Sequence, residues 1–302
     1  MVSLEPVERT PLMKKIFLPV YKLIYLVFVT VLRVHRVPFL YKLVKDINGM
    51  LVGLLRKDSV QVLGHTIFLD AKDSLWLSIN GVYEPELTAL LPTIVRPGAR
   101  IIDIGANIGY YTLQFARAAG GGGRVFAFEP DAENFRLLKK NLEVNGYKNV
   151  EAVRNAVSSK PGSLRLYISH ENMGDHRVYP RYDGQPYEEI EAVSLDQYFK
   201  DDAGRFDLVK MDIQGAEMKA LEGMTGLLER NTDIKIMAEF CPSALKLCGS
   251  DPAAFLGLLV KLGFKLYTVG GGGSLSAPQD PAALLERVGY VNDAAANLYC
   301  SR

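Results

Sequence analysis

From Val60 to the C-terminus, apolar residues gather in short blocks separated by stretches patterned at helical spacing. Val60–Leu63 and Thr66–Leu69 flank Gly64-His65, and two apolar runs joined by a short glycine-bearing connection predict a β-hairpin. Tyr83-Glu84-Pro85-Glu86 predicts a helix start, with Pro85 in the first turn, where a missing N–H is tolerated. Pro97-Gly98 predicts that helix's end. Arg100–Ile104, Arg124–Phe128, Val150–Val153, Phe206–Met211 and Asp233–Glu239 read as strands, with Gly263–Val269 and Asn297–Cys300 as closing strands. Helical stretches lie between them at Tyr110–Ala119, about 131–145, and from the segment Asp212–Glu217 to about Arg230. Such alternation predicts an α/β fold. The glycine clusters at 120–123 and 270–273 read as loops.

The first part of the chain is patterned differently. Residues 1–56 hold nine Lys/Arg and three Asp/Glu, a net of +6, so the remainder carries −5 of a total of +1. Within them lies an apolar run from Ile16 to Leu32, interrupted by Lys22 and Thr30. As a helix it would reach about 26 Å, short of a hydrocarbon core. Lys15, Lys22 and Arg33 fall on one helical stripe with Arg36 beside it, which suits a helix lying on an anionic membrane surface. A second helical pattern follows at Phe39, Leu40, Leu43, Val44, Ile47, Leu51 and Leu54. Docking of both helices on the rest of the chain, or on a second subunit, is the competing reading. The expected organisation is a basic helical extension over 1–58 and one domain over 59–302. The domain divides into a hairpin and helix at 59–98 and a core at 99–302.

Composition narrows the classes. With 48% hydrophobic and 23% charged residues the chain can bury a core. A net charge of +1 speaks against a general nucleic-acid binder. Cys241, Cys248 and Cys300 form no close-spaced pair, so neither a disulfide framework nor a zinc site is expected and a reducing cytosol fits; the basic segment 1–56 adds the inner face of a membrane to that location.

The candidate chemistry sits at the strand ends, where open α/β sheets bind ligands. Asp103-Ile-Gly105-Ala-Asn107-Ile-Gly109 follows the first core strand. Its glycines permit a tight turn and a close backbone approach to a ligand, with free helix N–H groups behind it. A dinucleotide site would have G-x-G-x-x-G. Here Asn107 replaces the middle glycine and the last glycine comes one residue early, which suits S-adenosylmethionine better than NAD. Glu129, at the end of the second strand, can accept both ribose hydroxyls of an adenosyl group.

The segments DIGANIGYYTLQFA, VFAFEPDAENFRLLKKNLEVNG, VSLDQYF and VKMDIQGAEMKALEGM together resemble the FkbM-type methyltransferases. The resemblance covers roughly Gly81 to Glu239 and leaves residues 1–60 outside. It implies a class I methyltransferase fold: a Rossmann-like sheet with helices on both faces, here preceded by the N-terminal helical segment. It also implies S-adenosylmethionine as methyl donor and, usually, O-methylation of a hydroxyl on a sugar or natural product. Asp103, Gly105, Asn107 and Gly109 would lie around the methionine end, Glu129 at the ribose, and Asn155-Ala156 by the adenine. Asn155 reads equally as a turn residue.

Two residues are candidates for proton removal. Asp212 ends a strand at the methyl end and reads as general base, metal ligand or helix cap. Glu217, in the first turn of the following helix, reads as a dipole partner. Asn172-Met-Gly-Asp175-His176-Arg177 resembles an N-x-G-D-H-R motif of part of the family. A histidine can titrate near neutral pH, so His176 reads as a base, Arg177 as a binder of carboxylate or phosphate, and Asn172 and Asp175 as substrate contacts; a solvated turn with Asp175 and Arg177 paired is the alternative. The expected acceptor is a small molecule or a lipid-linked glycan. A homo-oligomer stays open. The rival classes are an NAD(P)-dependent oxidoreductase, a non-catalytic S-adenosylmethionine-binding module at a membrane surface, and a membrane-anchored scaffold.

Overall fold

The computed structural model describes residues 58–291 and 294–302. The helices expected within 1–56, and their membrane contact, lie outside the described residues. A hairpin opens the described part: β1 (Ser59–Val62) pairs antiparallel with β2 (His65–Phe68). The two turn residues, Leu63 and Gly64, both have positive φ, so the turn twists with the strands. Two helices follow, α1 (Leu77–Asn80) and α2 (Pro85–Ile94).

The core then alternates β3 (Arg100–Ile104), α3 (Tyr110–Ala119), β4 (Arg124–Phe128), α4 (Ala132–Val144) and β5 (Val150–Val153). A small-sheet segment follows: β6 (Ala156–Val157), β7 (Gly162–Tyr167) and β8 (Tyr187–Val193). The chain returns through α5 (Leu195–Tyr198), β9 (Leu208–Met211), α6 (Glu217–Glu222), α7 (Thr225–Arg230) and β10 (Lys235–Phe240). It ends with α8 (Pro242–Leu247), α9 (Pro252–Lys261), β11 (Lys265–Thr268), α10 (Pro281–Val288) and β12 (Ala296–Ser301).

The main sheet has the order β11-β12-β10-β9-β3-β4-β5. Its β5, β4, β3, β9 and β10 are parallel, and β12 runs antiparallel between β10 and β11. This is a Rossmann-like sheet, as the resemblance implies. Alternation along each strand sends Ile102, Ile104, Phe126, Phe128, Val209 and Met211 to one face and Ile101, Val125, Ala127 and Leu208 to the other. Helices α6, α7 and α9 cover the first face, and α2, α3 and α4 the second. The chain builds outward from β3 to β5 and then crosses to β9, so the order reverses between β3 and β9, and a crevice opens there.

One expectation needs correction. The single helix expected up to Arg230 is two, broken at Gly223-Met224. A Cβ on Gly223 would lie 2.0 Å from the Ser158 carbonyl oxygen, so the chain there must be glycine to pass the small sheet. Asp196 then caps the second piece, accepting the N–H groups of Gly226 and Leu227. The polar stretch between β5 and β9 holds the three-stranded sheet β6-β8-β7 and the loop between β7 and β8. Its strands bury only Ala156, Leu166, Ile190 and Ala192 among themselves, so little hydrophobic pattern marks them. Among the described residues no helix is long and apolar enough to cross a membrane.

Candidate active site

A cavity of about 330 Å³ opens at the carboxyl ends of β3, β4 and β9, within the range of about 300–1,000 Å³ usual for small-molecule and cofactor sites. The turn after β3 forms one side. Gly105 has φ 75°, and a Cβ there would fall 2.2 Å from the Asp212 carbonyl oxygen. Glycine therefore lets the ends of β3 and β9 touch. Asn107 takes φ 51°, and its side-chain oxygen accepts the Ile108 N–H at 2.6 Å.

Glu129 faces this turn from the end of β4. One carboxylate oxygen accepts the Asn107 N–H at 2.8 Å and the other the Asp131 N–H at 2.9 Å. Each oxygen keeps a further acceptor position. Burial pushes the Glu129 carboxyl up to about 7, although both N–H bonds pull it down. Asp131 caps α4 by accepting the Glu133 and Asn134 N–H groups.

The β9–β10 side is built from charged side chains. Lys210 is buried in β9, donates to the Gly105 carbonyl at 3.1 Å and lies 3.7 Å from Asp103. Burial opposes its charge, but Asp103, Asp212, Glu84 and Glu129 outweigh that and raise its pKa. Gln214 donates to Asp212 at 2.9 Å and to Glu239 at 3.3 Å. Burial, and then Asp212 and Glu217, push the Glu239 carboxyl up to about 9, which favours its protonated form. Glu84 accepts the Tyr111 hydroxyl at 2.8 Å and the Asn297 amide at 3.0 Å. Burial, reinforced by Asp212 and Glu84, raises Tyr83 far above the usual phenol value and keeps its hydroxyl a donor. Glu217 does not reach the crevice; its two oxygens accept the Ile213 and Gly215 N–H groups, both at 3.0 Å, and lace the turn. Asp212 accepts a side-chain amide, with no helix N–H on its carboxyl, so the helix-cap reading does not apply.

The β7–β8 loop closes over the top. Met173 donates its N–H to Ser74 at 2.7 Å and accepts from the Asn134 amide at 2.9 Å, tying the loop to both the 70–74 segment and α4. His176 Nδ1 accepts the Ser169 N–H at 3.0 Å. The neutral ring therefore carries its proton on Nε2, 3.8 Å from Asp131 Oδ2, and offers a donor there rather than a lone pair. Burial lowers the His176 pKa against the pull of Asp131 and Asp175 and holds this neutral form.

Of the residues singled out from sequence, Gly105, Asn107, Glu129, Asn155, Ala156, Asn172, Asp175, His176 and Asp212 line the cavity. Asp103, Gly109 and Arg177 do not. Asp103 points to the α3 face, where it accepts the Thr112 hydroxyl at 2.6 Å. Gly109, with φ 94°, lets α3 pack on Leu138 of α4. Arg177 is pinned behind the wall by Asp175 at 2.7 Å and by the Tyr179 hydroxyl. Sequence reasoning missed Trp76, Tyr83, Asn134, Lys210 and Gln214 in the lining, and Glu84 and Glu239 beside it. Two signals were present: Lys210 interrupts an apolar strand, and Glu239 nearly ends β10 as Asp212 follows β9.

The sequence model of the methyltransferase FkbM domain matches residues 103–266. The chain belongs to the FkbM methyltransferase family. Methyltransferase sdnD of Sordaria araneosa is 30% identical over 155 residues, covering 41% of this chain and 60% of that protein. The match thus spans less than two thirds of that relative. Hexuronic acid methyltransferase AglP of Haloferax volcanii is 29% identical over 190 residues, covering 61% of this chain and 76% of that protein. The solved FkbM methyltransferase of Methylobacillus flagellatus aligns with a TM-score of 0.41 and 15% identity over 76% of this chain and 62% of that one. The methyl donor of such a domain is S-adenosylmethionine, and the residues of this family member fit it. Glu129 offers acceptors for a ribose. His176 Nε2 and Asn134 Oδ1 are a buried donor and a buried acceptor with no hydrogen-bond partner among the described residues, both in the lining. Buried polar atoms of this kind call for a ligand or water.

Proposed function

We propose that this chain transfers a methyl group from S-adenosylmethionine to a hydroxyl of a sugar, a lipid-linked glycan or a small natural product. The observation that carries this is Asp212 in the crevice lining, its backbone carbonyl against the Gly105 turn and its carboxyl held by the Gln214 amide. When bound, the cofactor supplies an electrophilic methyl group. The chain's own residues do the rest. Glu129 would hold the ribose, His176 and Asn134 would meet polar atoms of the adenosyl half, and Asp212 would take the proton of the attacking hydroxyl. Asp212 is a better base than His176, whose lone pair already accepts Ser169. Positioning and proton removal are what a protein adds to a reactive cofactor. The name of the Haloferax relative supports a carbohydrate among these acceptors. The +6 charge of residues 1–56 supports attachment at an anionic membrane surface, where lipid-linked acceptors reside.

Calorimetry with S-adenosylmethionine, S-adenosylhomocysteine and NAD tests the reading. Binding of the two sulfur ligands without NAD is expected. Binding of NAD alone would replace methyl transfer with hydride transfer.

A further inference from the structure

Trp76 is the chain's only tryptophan, is 44% exposed, and lines the crevice. Among the described residues no aromatic ring or cation stacks on it. Its backbone sits at φ 54°, ψ 29°, a left-handed conformation that residues with a side chain seldom adopt. Three further non-glycine residues with positive φ surround the same crevice: Asn107 and Gln214 in its lining and Glu84 beside it. Strain gathered at one site marks positions set for a ligand.

The segment carrying Trp76 is firmly built. Asp70 accepts the Lys72 N–H at 2.7 Å and the Ser74 N–H at 3.0 Å. Asp73 accepts the Leu77 N–H at 2.9 Å and the Ser78 N–H at 3.0 Å, and the Trp76 N–H donates to the Asp73 carbonyl at 2.7 Å. Ser74 ties the segment to the β7–β8 loop through Met173. A large apolar ring has thus been fixed, half in water, at the mouth of a polar crevice. Isolated surface aromatics need no such scaffold.

We propose that Trp76 is the stacking platform for the methyl acceptor, and that the acceptor presents a pyranose ring to it. This rests on the methyl-transfer reading above. A pyranose has an apolar C–H face and a hydroxyl-bearing edge. The face matches an open indole, and the edge matches Asp212, Gln214 and the Tyr83 hydroxyl, which share the lining with Trp76. A flat apolar acceptor would cover the indole equally well but leave those polar groups desolvated without partners, which is costly.

The single tryptophan is its own reporter. Full-length protein saturated with S-adenosylhomocysteine is titrated with methyl β-D-glucopyranoside, sodium D-glucuronate and cyclohexanol while tryptophan emission is read. A blue-shifted emission with at least one pyranose, and none with cyclohexanol at the same concentration, is expected. Trp76→Ala should weaken binding of that pyranose about tenfold, Trp76→Phe by less than threefold, and neither should change S-adenosylhomocysteine affinity. Silence toward both pyranoses, or an equal response to cyclohexanol, overturns the proposal. So does a fall in S-adenosylhomocysteine affinity in Trp76→Phe, which would put the ring against the adenine. Wild-type protein that fails to bind S-adenosylhomocysteine removes the methyl-transfer reading and this inference with it. Bound S-adenosylhomocysteine with an unresponsive tryptophan removes this inference alone.

Discussion

At the β3–β4 end of the crevice the surface is mostly backbone: a glycine turn, one asparagine with positive φ, and a glutamate held by two N–H groups. At the β9–β10 end it is side chains: Lys210 amid Glu84, Asp103 and Asp212, with Gln214 joining Asp212 to Glu239. The first end has one shape, set by residues close in sequence, and suits an invariant ligand part such as the adenosyl group. The second is assembled from four distant parts of the chain and depends on charge balance. It is where chemistry and acceptor choice would reside. If this division holds, variants at the two ends should fail differently.

The largest effect belongs to Asp212. Loss of a general base typically lowers turnover by about 10²–10⁴-fold. Asp212→Asn should show such a fall with S-adenosylhomocysteine affinity unchanged by calorimetry. A parallel loss of cofactor affinity would erase the division.

Next comes Lys210. Removing one partner of a buried ion pair costs about 3–5 kcal/mol, because the remaining charge is stranded. Lys210→Met leaves the fully buried Asp103 beside no cation, so urea unfolding should show a loss of that order. Asp103→Asn in the same chain should restore much of it. An unchanged midpoint for Lys210→Met would mean that the carboxyls at this end are already protonated.

This contrast also explains what could be read without the structure. The strands flanking the glycine turn are continuous apolar runs, as expected of a parallel sheet buried on both faces, and the turn's own spacing announces a ligand. Asp212 was visible because it follows such a strand. Glu84 was legible only as a helix start, since its role depends on Tyr111 and on Asn297. The β7–β8 pair was hidden for another reason. Tyr187–Val193 exposes Glu188, Glu189 and Glu191, so alternation survives there only as Ile190 and Ala192. His176 was identified by type, but its protonation pattern depends on the Ser169 N–H, which no spacing reveals.

Glu129 tests the cofactor end by itself. Charge-assisted hydrogen bonds contribute about 1.5–3 kcal/mol each, so Glu129→Ala should weaken S-adenosylmethionine binding by at least about tenfold, while pyranose binding in the presence of saturating S-adenosylhomocysteine stays as it was. Unchanged cofactor affinity would mean that its carboxyl serves only Asn107 and Asp131.

The smallest effect is a pH dependence with two opposite slopes. In the free protein burial raises Glu129 to about 7, and the Asp131 and Asn107 N–H groups recover only part of that cost. A ribose needs the ionised acceptor, so protonation competes with the cofactor below pH 7. Each pH unit below the pKa costs close to a factor of ten, and S-adenosylhomocysteine affinity should fall about tenfold between pH 8 and pH 6. Folding stability should move the other way. A carboxyl whose folded pKa is raised binds more protons in the folded state than in the unfolded one between its ordinary value and the raised one. The free protein therefore loses stability as pH rises through that window, from 4.5 to about 7 for Glu129 and Glu217 and on to about 9 for Glu239. Denaturation midpoints of the free protein should thus decline from pH 5.5 to 8, while the stabilisation added by S-adenosylhomocysteine grows. Glu129→Gln should flatten the second trend and only soften the first, because Glu217 and Glu239 remain. Affinity equal at pH 6 and pH 8 would take Glu129 out of the cofactor's reach and leave the crevice with one working end.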